Sequence, residues 1–109
     1  MPAQWEKLFD GITGVKADAL KSELVAFLGE SKKDSELFIK RQAAKIEKYL
    51  VQLANGEITK AQFESSMKDI EAVTRQKALE LSVKSKARAQ KLADGIKGLI
   101  LSRLLNMVC

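Results

Sequence analysis

The last fifty residues, Lys60–Cys109, contain no proline and few glycines, and read as one very long helix over residues 60–107. At about 1.5 Å per residue such a helix would run roughly 70 Å, and a single helix cannot bury its own apolar stripe. The chain must cover that stripe with other helices, its own or a partner's. The only proline of the 109 residues is Pro2, and Ala, Leu, Lys, Glu and Gln dominate elsewhere with no competing strand signal. These features predict an all-α fold: a helical hairpin or bundle with one long C-terminal helix, a single domain over residues 1–109, oligomeric in its final form.

Three shorter helices precede the long one. Trp5, Leu8, Phe9 and Ile12 fall at i, i+3, i+4 and i+7, which predicts a helix over about residues 3–11 with two aromatics on one stripe. Gly11 and Gly14 permit a turn after it. A second helix over residues 15–28 carries Leu20, Leu24, Phe27 and Leu28 on one face, with Gly29 as its stop. Ser31, Asp34 and Ser35 are candidate caps for a third helix over residues 35–54. There Ile39, Ala43, Ile46, Leu50 and Leu53 alternate steps of four and three, a short coiled-coil seam.

The boundary between the third and fourth helices is chemically explicit. Asn55-Gly56 stops one helix, and Thr59 followed by Gln62 makes a capping box for the next. So short a connection between two periodic helices predicts an antiparallel hairpin. Leu50, Leu53, Gly56-Glu57-Ile58-Thr59, Phe63 and Lys68 together resemble the helical hairpin called the short C-terminal domain of bacterial proteins, over residues 50–70. The resemblance implies an interaction hairpin and transfers no active site; forty further residues follow where that module normally ends.

Along the fourth helix, Phe63, Met67, Ile70, Thr74, Ala78, Leu81, Ser85, Ala89, Leu92, Ile96 and Leu99 form a stripe with a mean step near 3.6 residues. Its middle is small and partly polar, which allows another helix to approach closely. Charge is uneven. Residues 75–103 carry eight cations against Glu80 and Asp94, whereas the other residues nearly balance, so the net +5 is local to this stretch. Lys84, Lys86, Arg88, Lys91, Lys97 and Arg103 make up the expected basic face.

The C-terminal run is apolar around most of its circumference. Leu92, Ile96, Leu99, Ile100, Leu101, Leu104, Leu105, Met107 and Val108 are therefore the expected contact surface, and three things can cover them. Burial between copies in a homo-oligomer is the favoured arrangement. Insertion into an anionic membrane interface beside Lys91, Lys97 and Arg103 is the second. The third is a monomeric bundle in which the first helix and the aromatics Trp5 and Phe9 fold over the tail.

Several functions lose their chemistry at once. With no histidine and one cysteine, Cys109, the chain has neither a serine–histidine nor a cysteine–histidine pair and no zinc-ligand cluster. Carboxylates such as Glu23, Glu30, Glu64 and Asp69 have the spacing of solvent faces and no supporting base or glycine loop, so neither an enzyme nor a cofactor site is expected. Cys109 leaves a disulfide between copies open. MPAQWEKLFDG lacks the basic and apolar regions of a secretory signal, and the apolar stretches around Arg103 fall short of the ~20 residues of a membrane span. A cytoplasmic or assembly-bound location is expected. Nucleic acid is a distant partner, because the basic stretch has no aromatic residue for base stacking and would bind without specificity. The expected function is a non-enzymatic interaction protein: a structural subunit or scaffold of a homo-oligomeric assembly, of which virion or phage-like components are examples, or alternatively a peripheral membrane binder.

Overall fold

The computed structural model describes residues 4–9 and 14–107. A 3₁₀ segment, Gln4–Phe9, is followed by α1 (Val15–Lys32), α2 (Leu37–Ala54), α3 (Lys60–Ala78) and α4 (Val83–Gly95), which continues into a π-helical segment, Ile96–Leu104, and a last α-helical turn, Leu105–Met107. No strand occurs among the described residues. Successive helices are joined by short turns and pack side by side, α1 on α2, α2 on α3, α3 on α4, and α1 back on the π segment, in a body 42 × 24 × 22 Å. The 3₁₀ segment lies against α2, where Lys7 Nζ donates to Asn55 Oδ1 at 2.8 Å.

The α2–α3 hairpin forms through the chemistry its sequence announced. Gly56 takes φ +74°, its N–H donates to Leu53 O, and the Glu57 N–H donates to Gln52 O, the paired bonds of a Schellman ending. Three residues later Thr59 Oγ1 accepts from Gln62 N–H at 3.1 Å, and Gln62 Oε1 accepts from Thr59 N–H at 2.8 Å. Both helix ends are thus satisfied within eight residues of chain.

The single helix over residues 60–107 is not observed; it breaks at 79–82. The N–H groups of Leu79, Glu80 and Leu81 donate three residues back, tightening the end of α3. Ser82 is then extended (φ −60°, ψ 162°), and its Oγ accepts from Ser85 N–H to start α4. Folding back lets α3 and α4 cover each other along Thr74, Ala78, Ser85 and Ala89, all buried. The small stripe does admit a close neighbour, which is the other half of the same expected helix. Arg75 spans the pair, donating to Glu71 at 2.9 Å and to Asp94 at 3.1 Å, and these bonds raise its pKa above the ordinary arginine value.

Two further boundaries move. Gly29 lies inside α1, where a Cβ would meet open space, and the helix continues to Lys32. Ser31 and Ser35 cap nothing: Ser31 is buried within α1, while Asp34 Oδ1 accepts from Glu36 N–H at 2.8 Å just before α2 begins at Leu37. Trp5 and Phe9 are buried edge to face, with ring centroids 6.4 Å apart. Ile12, Gly11, Val108 and Cys109 lie outside the described residues, as does the remainder of the expected first helix.

The apolar tail is covered by its own chain, as in the third of the arrangements considered, but the cover comes from α1 and α3. The N-terminal segment packs chiefly on α2 and adds Trp5 and Phe9 to the shared core. Leu92, Ile96, Ile100, Leu104 and Leu105 are each at most 2% exposed and share one core with Trp5, Phe9, Leu20, Leu24, Leu28, Phe63 and Met67. Leu99, Leu101 and Met107 are partly buried against that core. Leu92, Ile96, Ile100, Leu104 and Leu105 therefore do not need the second copy or lipid expected to cover them. Residue phase changes too. In the π segment, amides bond five residues back, as Leu105 N–H does to Ile100 O, and the wider turn moves the core line from Leu99 to Ile100 and Leu104. α1 closes over this end through Phe27, whose ring occupies the space a side chain on Gly95 would take, and through the Glu23–Arg103 ion pair at 2.6 Å.

Candidate interaction surface

With Leu92, Ile96, Ile100, Leu104 and Leu105 inside, the most exposed apolar residues lie elsewhere. Of the large apolar side chains, Val15, Val25, Leu37, Val73, Leu79 and Val83 are exposed among the described residues. Leu37 (53%) and Val73 (50%) line one groove, the outer seam between α2 and α3.

The groove follows directly from helix geometry. On α2, Arg41, Lys45 and Lys48 sit at i, i+4 and i+7, so they form one stripe, with Leu37 and Phe38 at one end and Tyr49 at the other. On α3, Ser66, Asp69, Ile70, Val73 and Lys77 share the facing stripe. Two depressions merge along it through their common residues Gln42, Lys45 and Val73. From Glu36 to Tyr49 the α2 wall runs about 20 Å at 1.5 Å per residue.

Its floor is fixed by a buried polar pair. The Gln42 side-chain amide donates to Thr74 Oγ1 at 3.0 Å, and that hydroxyl donates to Ile70 O at 2.6 Å. Gln42 is 4% and Thr74 0% exposed, so each would be costly to leave unpaired, and the pair sets the register of α2 on α3. The floor is otherwise apolar, from Ile70 and Val73, and the α2 rim is cationic. Arg41, Lys45 and Lys48 have no carboxylate within ion-pair distance among the described residues, whereas Lys77 is held by Glu80 at 3.6 Å.

The expected basic face divides into two groups. Arg88 is spent on Asp34 at 2.8 Å and Arg103 on Glu23, so both tie α4 and the π segment to the bundle. Partial burial pushes the Asp34 carboxyl up, but the Glu36 N–H, the Arg88 hydrogen bond and charge, and the charge of Lys40 together hold it below its ordinary value. Lys84, Lys86, Lys91 and Lys97 have no carboxylate partner among the described residues, and Lys84 and Lys91 share a face of α4. The carboxylates stay apart: Glu23 and Glu64 pair with Arg103 and Lys68, and no group of three metal-ligating side chains occurs among the described residues. No helix is long and apolar enough to cross a membrane among those searched.

The α2–α3 groove escaped the sequence reading, although its signal was present. Arg41, Lys45 and Lys48 lie on the opposite side of α2 from the buried Ile39–Ala43–Ile46–Leu50 seam, and Leu37 and Phe38 fall beside that cationic stripe and not on the seam. The pairing of this face with Val73 needed the third dimension. No protein-family model matches the chain, and neither a curated protein nor a solved structure matches it.

Proposed function

We propose that this chain is a non-enzymatic helical interaction module that receives a partner helix in the α2–α3 groove. One observation carries the reading: half-exposed Leu37 and Val73 lie in the same groove as three cations with no carboxylate partner among the described residues. An amphipathic helix lays its apolar face into such a groove through anchors at i, i+3 or i+4 and i+7, and the α2 wall of about 20 Å accommodates three to four turns. The structural-subunit form of the reading no longer rests on the tail. Nuclear magnetic resonance on the full chain provides the test. Titration with a designed 14-residue amphipathic helix, leucine on one face and glutamine on the other, is expected to shift the amides of Arg41, Lys45, Tyr49 and Val73, and Val73→Asp is expected to abolish those shifts. Shifts elsewhere on the bundle, or none, overturn the proposal.

A separate observation supports a second reading, contact with an anionic surface through α4. Lys84, Lys86, Lys91 and Lys97 are without carboxylate partners among the described residues, but Leu92, Ile96, Ile100, Leu104 and Leu105 beside them are in the core, so the attraction is chiefly electrostatic. Flotation with anionic vesicles tests it: binding that fails at low salt removes this reading. Nucleic acid would meet the same lysines without specificity and with the same salt sensitivity.

A further inference from the structure

Resting on the groove reading above, we infer that the partner helix is acidic and belongs to another protein: an amphipathic helix with carboxylates at i, i+4 and i+7 facing Arg41, Lys45 and Lys48, and apolar residues seated on Val73 and Leu37. The spacing comes from the rim itself. Three cations spaced one helical turn apart on α2 present charge along one line, and an aligned partner helix repeats at the same pitch. None of the three has a carboxylate within ion-pair distance among the described residues, so their charge is not already neutralised from within. Facing them across the groove are Asp69, in its lower half, and Lys77, in its upper half beside Leu37, with Val73 lining both. Glu36 also lines the upper half and Lys77 is held by Glu80, so the net positive charge of the groove comes from Arg41, Lys45 and Lys48 on the α2 rim. An acidic apolar helix satisfies that rim and the apolar floor at once.

A second copy of this chain does not supply such a helix. The outer face of α4 is cationic through Lys84 and Lys91, α2 is the rim itself, and on α1 exposed Asp18 and Glu30 are offset by Lys16 and by Lys33 just after the helix. On α3, Glu64 and Glu71 are already paired with Lys68 and Arg75. Charge complementarity therefore points to a heterologous partner.

The test extends the glutamine-faced peptide to two relatives with the same leucine pattern, one carrying glutamate and one lysine at the rim-facing positions. Each is titrated into the full chain, with affinity read from the amide shifts of the groove. The glutamate peptide is expected to bind about tenfold tighter than the glutamine peptide, the lysine peptide weaker than both, and the preference to shrink in high salt. The double variant K45E/K48E should weaken the glutamate peptide at least tenfold and reverse the order of the glutamate and lysine peptides. K84E/K91E should change neither. Lys45 and Lys48 are exposed, so circular dichroism should report an unchanged fold, and the salt dependence of the wild-type chain stands independently of any variant. If the three peptides bind the groove equally, or K45E/K48E leaves the glutamate peptide unaffected, the acidic partner is wrong although the groove survives. If none shifts the groove amides, the groove reading falls as well.

Discussion

Truncating Ile100 should cost several times more than truncating its neighbour Leu99, and the contrast reads out the π-helical phase directly. Ile100 is 0% exposed, in line with Leu92, Ile96 and Leu104, whereas Leu99 lies partly buried at the edge of the core. Ile100→Ala removes three carbons from that line, a transfer loss of roughly 2.4 kcal/mol at about 0.8 kcal/mol per methylene. The residual cavity adds to it, for a total of about 3–4 kcal/mol. Leu99→Ala should cost about 1 kcal/mol. At roughly 4 °C per kcal/mol for a domain of this size, the Tm falls by about 12–16 °C in the first variant and about 4 °C in the second. Urea unfolding followed by circular dichroism gives both free energies, and an unchanged slope keeps the comparison within one native state. Equal costs, or a greater one at Leu99, would mean that the α-helical phase continues past Ile96 and that the core line assigned to this segment is wrong.

Thr74→Val should lose about 1–2 kcal/mol because it strands the buried Gln42 amide, and the double variant Gln42→Leu, Thr74→Val should recover most of that loss; additive costs in urea unfolding would show that the pair is not coupled. Thr59→Ala, which removes one half of the capping box, should lower stability by about 1 kcal/mol in the same assay, and a neutral result would mean the box contributes nothing in solution. Asp34 makes stability pH-dependent in a defined direction. Its folded pKa lies below the ordinary 3.8, so its contribution is present above that value and is lost as pH falls through the folded pKa. The stability difference between the wild-type chain and Asp34→Asn should therefore be greatest at neutral pH and shrink in strong acid; a constant difference across that range would refute the assignment.

The local chemistry of this chain was legible where residues act on their immediate neighbours. Gly56, Thr59 and Gln62 define the α2–α3 turn because a left-handed glycine and a reciprocal cap require no tertiary partner. The break at Ser82 was harder to read. Nothing interrupts the apolar stripe there: Ala78, Leu81 and Ser85 continue the spacing of a straight helix, and a serine alone is a weak start signal. Only the gain from folding α3 onto α4 decides it, and that gain depends on contacts between residues about nineteen apart, such as Arg75 and Asp94. The displacement of the core line from Leu99 to Ile100 was hidden for a similar reason, since a period of 3.6 presumes the α-helical turn that the π segment widens. The tail was correctly read as needing cover, but composition does not say whose helices supply it.

That question also has the most direct test, because Leu92, Ile96, Ile100, Leu104 and Leu105 are buried by the same chain. A mixed sample of isotope-labelled and unlabelled protein separates nuclear Overhauser contacts within one molecule from those between copies. The Phe27 ring packs over Gly95 in the space where a Cβ would overlap it, and this contact between α1 and the end of α4 is close enough to observe. Cover from within the chain gives a strong cross-peak from the Phe27 ring protons to the Gly95 α-protons within one molecule and none between molecules. The same cross-peak found only between labelled and unlabelled copies would place the cover in a second chain and contradict it.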